Sequence, residues 1–158
     1  MEEVSNAADV LAAHETIARY WAIVDGKLSV PVESCFTIDC FLKIESVEIS
    51  GRGMLVDAVL SRTAKAAEQR RSTRHLISNF FVRSYSGNAL ILESLITVFS
   101  GYGDKPAPLA TPSSLGDFAY HCTKTETGEW KISRLEGSIV FAGSDSPFSR
   151  QASPDPQV

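Results

Sequence analysis

The stretch TRHLISNFFVRSYSGNALILESLITVFS, residues 73–100, decides the fold. Arg74 to Tyr85 is rich in the β-branched and aromatic residues that pack well on a pleated surface. Ser86-Gly87-Asn88 is turn chemistry, and Ala89 to Ser100 is a second run of strand formers. The reading is two long strands in a hairpin. Alternation puts His75, Ile77, Asn79 and Phe81 on one face of the first strand. It puts Leu90, Leu92, Ser94, Ile96 and Val98 on one face of the second, with Ala89, Ile91, Glu93, Leu95 and Thr97 opposite.

Upstream of this hairpin the period is helical. Val10, Leu11, Ile17, Tyr20, Trp21 and Val24 make one apolar face of a helix over Asn6 to Asp25, stopped by Gly26. A short second helix is expected from Pro31 to Cys35. Phe36 to Val47 reads as extended. A third helix from Arg52 to about Gln69 would bury Leu55, Val56, Val59, Leu60, Ala64 and Ala67. Downstream, Pro106, Pro108 and Pro112 make 101–114 a loop. Leu115 to Thr125 and Glu129 to Phe141 form a second hairpin through Glu126-Thr127-Gly128. Helices followed by long antiparallel strands predict an α+β fold. The expected shape is a cone-shaped curved antiparallel sheet with about three N-terminal helices, enclosing an apolar pocket. One domain is expected over residues 1–142, with 143–158 as a flexible C-terminal tail.

Composition narrows the function classes. The chain has 158 residues, 44% hydrophobic and 22% charged, enough to bury a core and too apolar for a disordered protein. Its net charge of −4 argues against nucleic-acid binding, which needs a basic footprint. No apolar run reaches the ~20 residues of a membrane span, and the acidic start MEEVSNAADV does not read as a secretory signal. Cys35, Cys40 and Cys122 form no CxxC pair, so neither a disulfide framework nor a zinc site is expected. The expectation is a soluble, cytoplasmic protein without nucleic-acid or membrane partners.

Few residues can carry chemistry. His75 is either a hydrogen-bonded structural histidine or an acid/base group, since histidine titrates near neutral pH. Asp25 closes an apolar helix face at the end where the helix dipole disfavours an anion. It is better explained if a positive or proton-donating group faces it, and a histidine there would gain a fixed tautomer. Ser94 interrupts an apolar face and must find a partner or line a cavity. Glu93, opposite, suits an arginine on a neighbouring strand. His14 reads as surface, and His121 has no supporting partner. The histidines show no HxH or HExxH spacing, so no metal is expected. The basic run Arg62, Lys65, Arg70, Arg71 and Arg74 reads as a solvated helix end, with a phosphate patch as the alternative.

The order of these features resembles the SnoaL-like and scytalone-dehydratase-like families of the nuclear-transport-factor-2-like superfamily. The segments that carry the likeness are Tyr20-Trp21 with Val24-Asp25, Cys35-Phe36-Thr37-Ile38-Asp39, Gly51-Arg52-Gly53, Thr73-Arg74-His75-Leu76-Ile77-Ser78-Asn79, and Gly128-Glu129-Trp130-Lys131-Ile132-Ser133-Arg134. The resemblance implies a cofactor-free pocket, a homodimer, and an aspartate–histidine pair at Asp25 and His75, with Ser94 as a pocket serine. The dehydratase's carbonyl-holding tyrosines fall at Val24 and about Ser46 here, its asparagine after the serine is Ile96, and its second histidine has no counterpart. Scytalone itself is therefore not the expected substrate.

The expected activity is a cofactor-independent dehydratase, isomerase or cyclase. His75 and Asp25 would be catalytic, and Tyr20, Trp21, Asn79 and Ser94 would contact a small apolar carbonyl or polyketide-like substrate. The alternative is a non-catalytic binding or dimerisation module of the same fold. An epoxide hydrolase needs an Arg–Asp–Asp set, which Arg74, pointing away from His75, does not supply. Strands with two apolar faces, Leu90/Leu92/Ile96/Val98 and Ile91/Leu95/Phe99, predict helices on one side and a second subunit on the other.

Overall fold

The computed structural model describes residues 6–149. Asn6 caps the first helix by accepting the Ala8 backbone N–H at 2.9 Å. That helix, α1 (Ala7–Val24), buries Ala13, Ile17, Tyr20 and Trp21 at helical spacing. Asp25 closes it, and Gly26, at φ 67°, turns the chain away in a conformation that favours glycine. A single 3₁₀ turn, Val32–Cys35, leads into β1 (Phe36–Ile44). Then follow β2 (Val47–Ser50), α2 (Arg52–Glu68), β3 (Arg71–Tyr85), β4 (Ala89–Tyr102), β5 (Ser114–Lys124) and β6 (Trp130–Ala142).

These elements correct several expectations. Two α-helices are present among the described residues, not three, because the segment after Pro31 is too short for more than one turn. Extended structure from Phe36 does not run through to Val47. It reverses at Glu45-Ser46, where Glu45 takes φ 52°. The face of α2 is also narrower than expected, with Leu55 buried and Leu60 63% exposed.

The six strands form one mixed sheet in the order β2-β1-β6-β5-β4-β3. Neighbours are antiparallel except β1 and β6, which run parallel. This corrects the all-antiparallel expectation. Strands joined by tight turns must reverse, whereas β1 and β6 are distant in sequence and no turn fixes their relative direction.

A bulge changes β3. Pairing shifts between Ser78 and Phe81, where Asn79 adopts φ 51°, a conformation asparagine tolerates better than most residues. One extra residue flips the alternation. Phe80 therefore turns inward, with its ring 6.3 Å from that of Tyr120 and 4.5 Å from that of His14. Asn79 and Phe81 turn outward and do not share the face of His75 and Ile77, contrary to expectation.

Both helices lie on one face of the sheet. The core there includes the fully buried Tyr120, Phe36, Ile17, Leu92, Ile132 and Leu135. The opposite face is open. It exposes Leu76, Phe81 and Phe141 at 50%, 54% and 68%, among the Arg83–Glu93 and Arg134–Glu136 ion pairs. The tail from 143 to 149 folds back: the Gly143 N–H donates to the Ser113 carbonyl at 2.8 Å, and Ser146 is buried. The remainder of the expected tail lies outside the described residues.

One polar knot ties α1 to the far side of the sheet. Asp9 accepts from Lys124 Nζ at 2.8 Å, Trp130 Nε1 at 3.0 Å and the Tyr85 hydroxyl at 2.8 Å. Those bonds, the one from Lys124 foremost, hold its carboxyl at about 2 against an ordinary 3.8. Because the folded value lies below the unfolded one, this contribution is complete above about pH 4 and is lost as pH falls toward 2. Wild type should therefore lose more stability across that window than Asp9→Asn, which should already melt lower at neutral pH. Parallel acid dependence of the two in urea titrations would refute the assignment. Gly137 makes a second check, since a Cβ there would sit 2.5 Å from the Phe118 ring. Gly137→Ala should cost about 1–3 kcal/mol by overpacking, read as a lower urea midpoint at unchanged slope.

Candidate functional site

Asp25 sits one residue past the last turn of α1, where the chain leaves the helix against the start of β3. Its carboxylate takes donors from that strand on both oxygens. Oδ1 accepts from Thr73 Oγ1 at 3.0 Å and lies 2.6 Å from His75 Nδ1, while Oδ2 accepts the His75 backbone N–H at 2.8 Å. Thr73 and His75 share a face because they are two apart on a strand. Arg74, between them, points outward and reaches back to the Asp25 carbonyl at 3.4 Å. A cation at that carbonyl also complements the helix dipole.

The pair is sequestered, with the His75 side chain 8% exposed and that of Asp25 4%. Burial pushes the Asp25 carboxyl up, but the His75 ring, its charge, its N–H and the Thr73 hydroxyl together outweigh that push and leave it below its ordinary value. Asp25 is thus an anion at neutral pH, so the Nδ1 that faces it carries a proton. The tautomer this selects has Nε2 as its acceptor. Trp21 stacks on the imidazole at 4.4 Å with the planes 24° apart, which fixes the ring's orientation from the other side. Trp21 is itself held by donating Nε1 to the Tyr120 hydroxyl at 2.8 Å.

His75 lines a cavity of about 180 Å³ between α1, α2 and the sheet. The rest of the lining is largely apolar, including Val24, Ile44, Leu55, Ile96, Val98 and Phe148. Tyr20 and Trp21 line it as well. Burial pushes the Tyr20 phenol far up, so it remains a proton donor throughout the neutral range. Ser94 is not in this lining. Its buried Oγ lies close to the Tyr120 hydroxyl without the geometry of a hydrogen bond. Asn79 is on the open face of the sheet, carried there by the bulge. The larger depression, about 830 Å³, is also on that open face and is remote from the Asp25–His75 pair. The candidate site is therefore the smaller chamber, because His75, held by Asp25 from behind, lines it.

Two residues complete the arrangement, one with no role expected from sequence and one read there only as part of a basic, solvated helix end. Thr73 is one, and its position two before His75 on the same strand is the signal. Arg62 is the other. It follows Leu55 and Val59 at i+7 and i+3, so the inward face of α2 predicts it. It lines the cavity, and its Nη2 lies 3.4 Å from Thr73 Oγ1. Among the described residues no group of three or more His, Cys, Asp or Glu side chains is placed to hold a metal ion. No described helix is long and apolar enough to cross a membrane.

Solved structures share this architecture. A protein of unknown function with a cystatin-like fold from Nostoc punctiforme matches with a TM-score of 0.70 at 19% identity, over 94% of this chain and 100% of the other. A protein from Novosphingobium aromaticivorans, provisionally assigned as a scytalone dehydratase, matches with a TM-score of 0.72 at 17% identity, over 96% and 95%. ActVI-ORFA from Streptomyces coelicolor matches with a TM-score of 0.67 at 15% identity, over 84% and 96%. Identities this low establish the fold alone. No protein of curated function matches the sequence. A family model for the SnoaL-like domain matches residues 5–136. With that span covering most of the chain, the protein belongs to the SnoaL-like domain family.

Proposed function

We propose that the protein is a cofactor-independent acid–base enzyme, a dehydratase, isomerase or cyclase, in which His75 is the proton-transfer group and Asp25 its orienting partner. The observation that carries this reading is the 2.6 Å contact between Asp25 and a histidine lining a largely apolar cavity. His75 Nε2 takes a proton from a carbon next to a carbonyl, and the electron pair of that C–H bond moves to the carbonyl oxygen as an enolate. The Tyr20 hydroxyl donates a hydrogen bond to that oxygen. In a dehydration the enolate expels a hydroxyl from the adjacent carbon, and His75 returns the proton to it, so the products are the unsaturated carbonyl and water. In an isomerisation the proton returns to a different carbon. Transfer of this kind contributes on the order of 10²–10⁴-fold.

The chamber also bounds the substrate. An apolar cavity of ~150 Å³ holds a benzene ring, so about 180 Å³ suits a single ring or a short branched chain. A fused-ring polyketide does not fit in that volume. The related reading, a binding module of the same fold, uses the same chamber without proton transfer.

The pair is tested directly. His75→Ala should abolish turnover while keeping the far-ultraviolet spectrum. Asp25→Asn should keep the shape, lose control of the tautomer and move the NMR titration of His75. If the His75 curve is the same in wild type and Asp25→Asn, the two side chains do not communicate and the binding-module reading replaces the enzyme.

We further propose a homodimer through the open face of the sheet. That face combines exposed Leu76, Phe81 and Phe141 with charges of both signs, and a surface carrying both signs can complement itself across a two-fold axis. Light scattering at micromolar concentration should give twice the chain mass, with Phe81→Glu shifting it to the monomer. A wild-type monomer under those conditions would sink the proposal.

A further inference from the structure

Beside the catalytic chamber lies a second space of about 210 Å³, lined by Asp25, Arg62, Arg71, Thr73 and Lys105. Arg62 and Val24 line both spaces, so Arg62 stands on the boundary between them. Three cations converge on this vestibule, and among the described residues none of them is in an ion pair.

The Asp25 carboxylate offsets one of the three charges and leaves the vestibule net positive. Both of its oxygens are already engaged, Oδ1 by His75 and Thr73 and Oδ2 by the His75 backbone. Arg62 is left with one long bond to Thr73 at 3.4 Å. Arg71 Nε is buried and has no hydrogen-bond partner among the described residues. Burial, and after it the charge of Arg71, depress the Arg62 guanidinium below its ordinary range, and the nearby Asp25 carboxylate does not make up the difference. A buried donor left unmade is costly, and a site of net positive charge with low-dielectric walls draws in anions. Neighbouring arginine forks match a planar carboxylate or a phosphate, two hydrogen bonds at a time. The neighbouring basic residues Arg70 and Arg74 do not share this role, since the first pairs with Asp104 and the second bonds the Thr73 and Asp25 carbonyls.

We propose that this vestibule binds an anionic head group of the substrate, a carboxylate or a phosphate ester, between Arg62 and Arg71 with Lys105 at the rim, while the apolar body of the same molecule fills the His75 chamber. The assignment rests on the acid–base reading for what happens to the substrate, but not for the binding of the anion. Arg62 and Arg71 are positioning residues here. They set which carbon is presented to His75.

The test uses the full chain and three probes that share a phenyl body: benzoate, phenyl phosphate and neutral benzamide. At least one anion should bind about tenfold or more tightly than benzamide by calorimetry and raise the melting temperature. The tighter of the two names the head group. Arg62→Gln and Arg71→Gln should each lower anion affinity by about tenfold or more and leave benzamide unchanged, with Arg62→Lys recovering part of the loss. Lys105→Gln, at an exposed position, provides a variant with little risk to folding and should weaken the anion more mildly. The proposal is overturned if no anion binds at millimolar concentration, if benzamide binds as well as the anions, or if the folded Gln variants bind anions as wild type does. His75→Gln separates the two readings. Anion binding kept with turnover unaffected removes the acid–base role and leaves the vestibule. Turnover lost in that variant, with no anion selectivity in wild type, removes the vestibule and leaves the acid–base role.

Discussion

The carboxylate of Asp25 is the joint between the helical and the β halves of the molecule. A helix end and a strand start meet there, and each brings backbone groups that would otherwise be unsatisfied. The His75 N–H goes to Oδ2, and Arg74 reaches the Asp25 carbonyl, so the junction is closed by main-chain and side-chain bonds together. The same carboxylate orients the imidazole. Fold and candidate chemistry thus share one group, which makes the position of His75 as well determined as the packing of α1 on the sheet. A histidine placed by a loop would lack that precision.

The placement has an electrostatic cost that the surroundings offset. An anion at the C-terminus of a helix meets the negative end of the dipole, and burial raises the cost further. Three donors from β3 outweigh both, and Arg62, linked through Thr73, adds positive charge behind them. The result is a polar chain, Arg62–Thr73–Asp25–His75, laid along the edge of an apolar chamber. Its order matters. The strongest acceptor, Asp25, is held out of the chamber's lining, which the two ends of the chain, Arg62 and His75, both reach. Aromatic rings close the other side: Trp21 stacks on His75, Tyr20 packs on Trp21 at 4.8 Å, and Phe118 meets Trp21 edge-on at 5.7 Å.

Much of this was legible in the sequence where a regular period or a cap determined it. The apolar stripe of α1, its end at Asp25, and the β3–β4 hairpin around Ser86-Gly87-Asn88 follow from spacing and turn chemistry alone. Asp25 stood out because it was in the wrong place for an isolated anion. Glu93 stood opposite an apolar face and meets Arg83 across the hairpin. What period cannot show is a break in the period. The extra residue at Asn79 reverses the faces of β3 until a second shift between Val82 and Ser84 restores them, exchanging Phe80 for Phe81 on the inner face and removing Asn79 from the site. The parallel pairing of β1 with β6 joins segments about ninety residues apart and leaves no local mark. Arg62 was obscured by its neighbours, since a run of basic residues looks like a solvated surface. Only the helical offset from Leu55 and Val59 separates it from Lys65 and Arg70.

The two adjoining spaces constrain the chemistry more than either does alone. Proton abstraction needs the reacting carbon within about 3–3.5 Å of His75 Nε2. Arg62 lines the same small chamber as His75, so on the proposed mechanism an anion held on that guanidinium would lie only a few bonds from the carbon that loses its proton. On the proposed mechanism the apolar lining offers an enolate few partners, and the Tyr20 hydroxyl and the nearby positive charge would stabilise it. A substrate with a charged head, a carbonyl close to it and a compact apolar body meets all of these conditions at once. A large neutral molecule meets none of them without displacing the Phe148 ring or the aromatic wall. The architecture thus favours selection by charge at the vestibule and by size in the chamber, with His75 between the two.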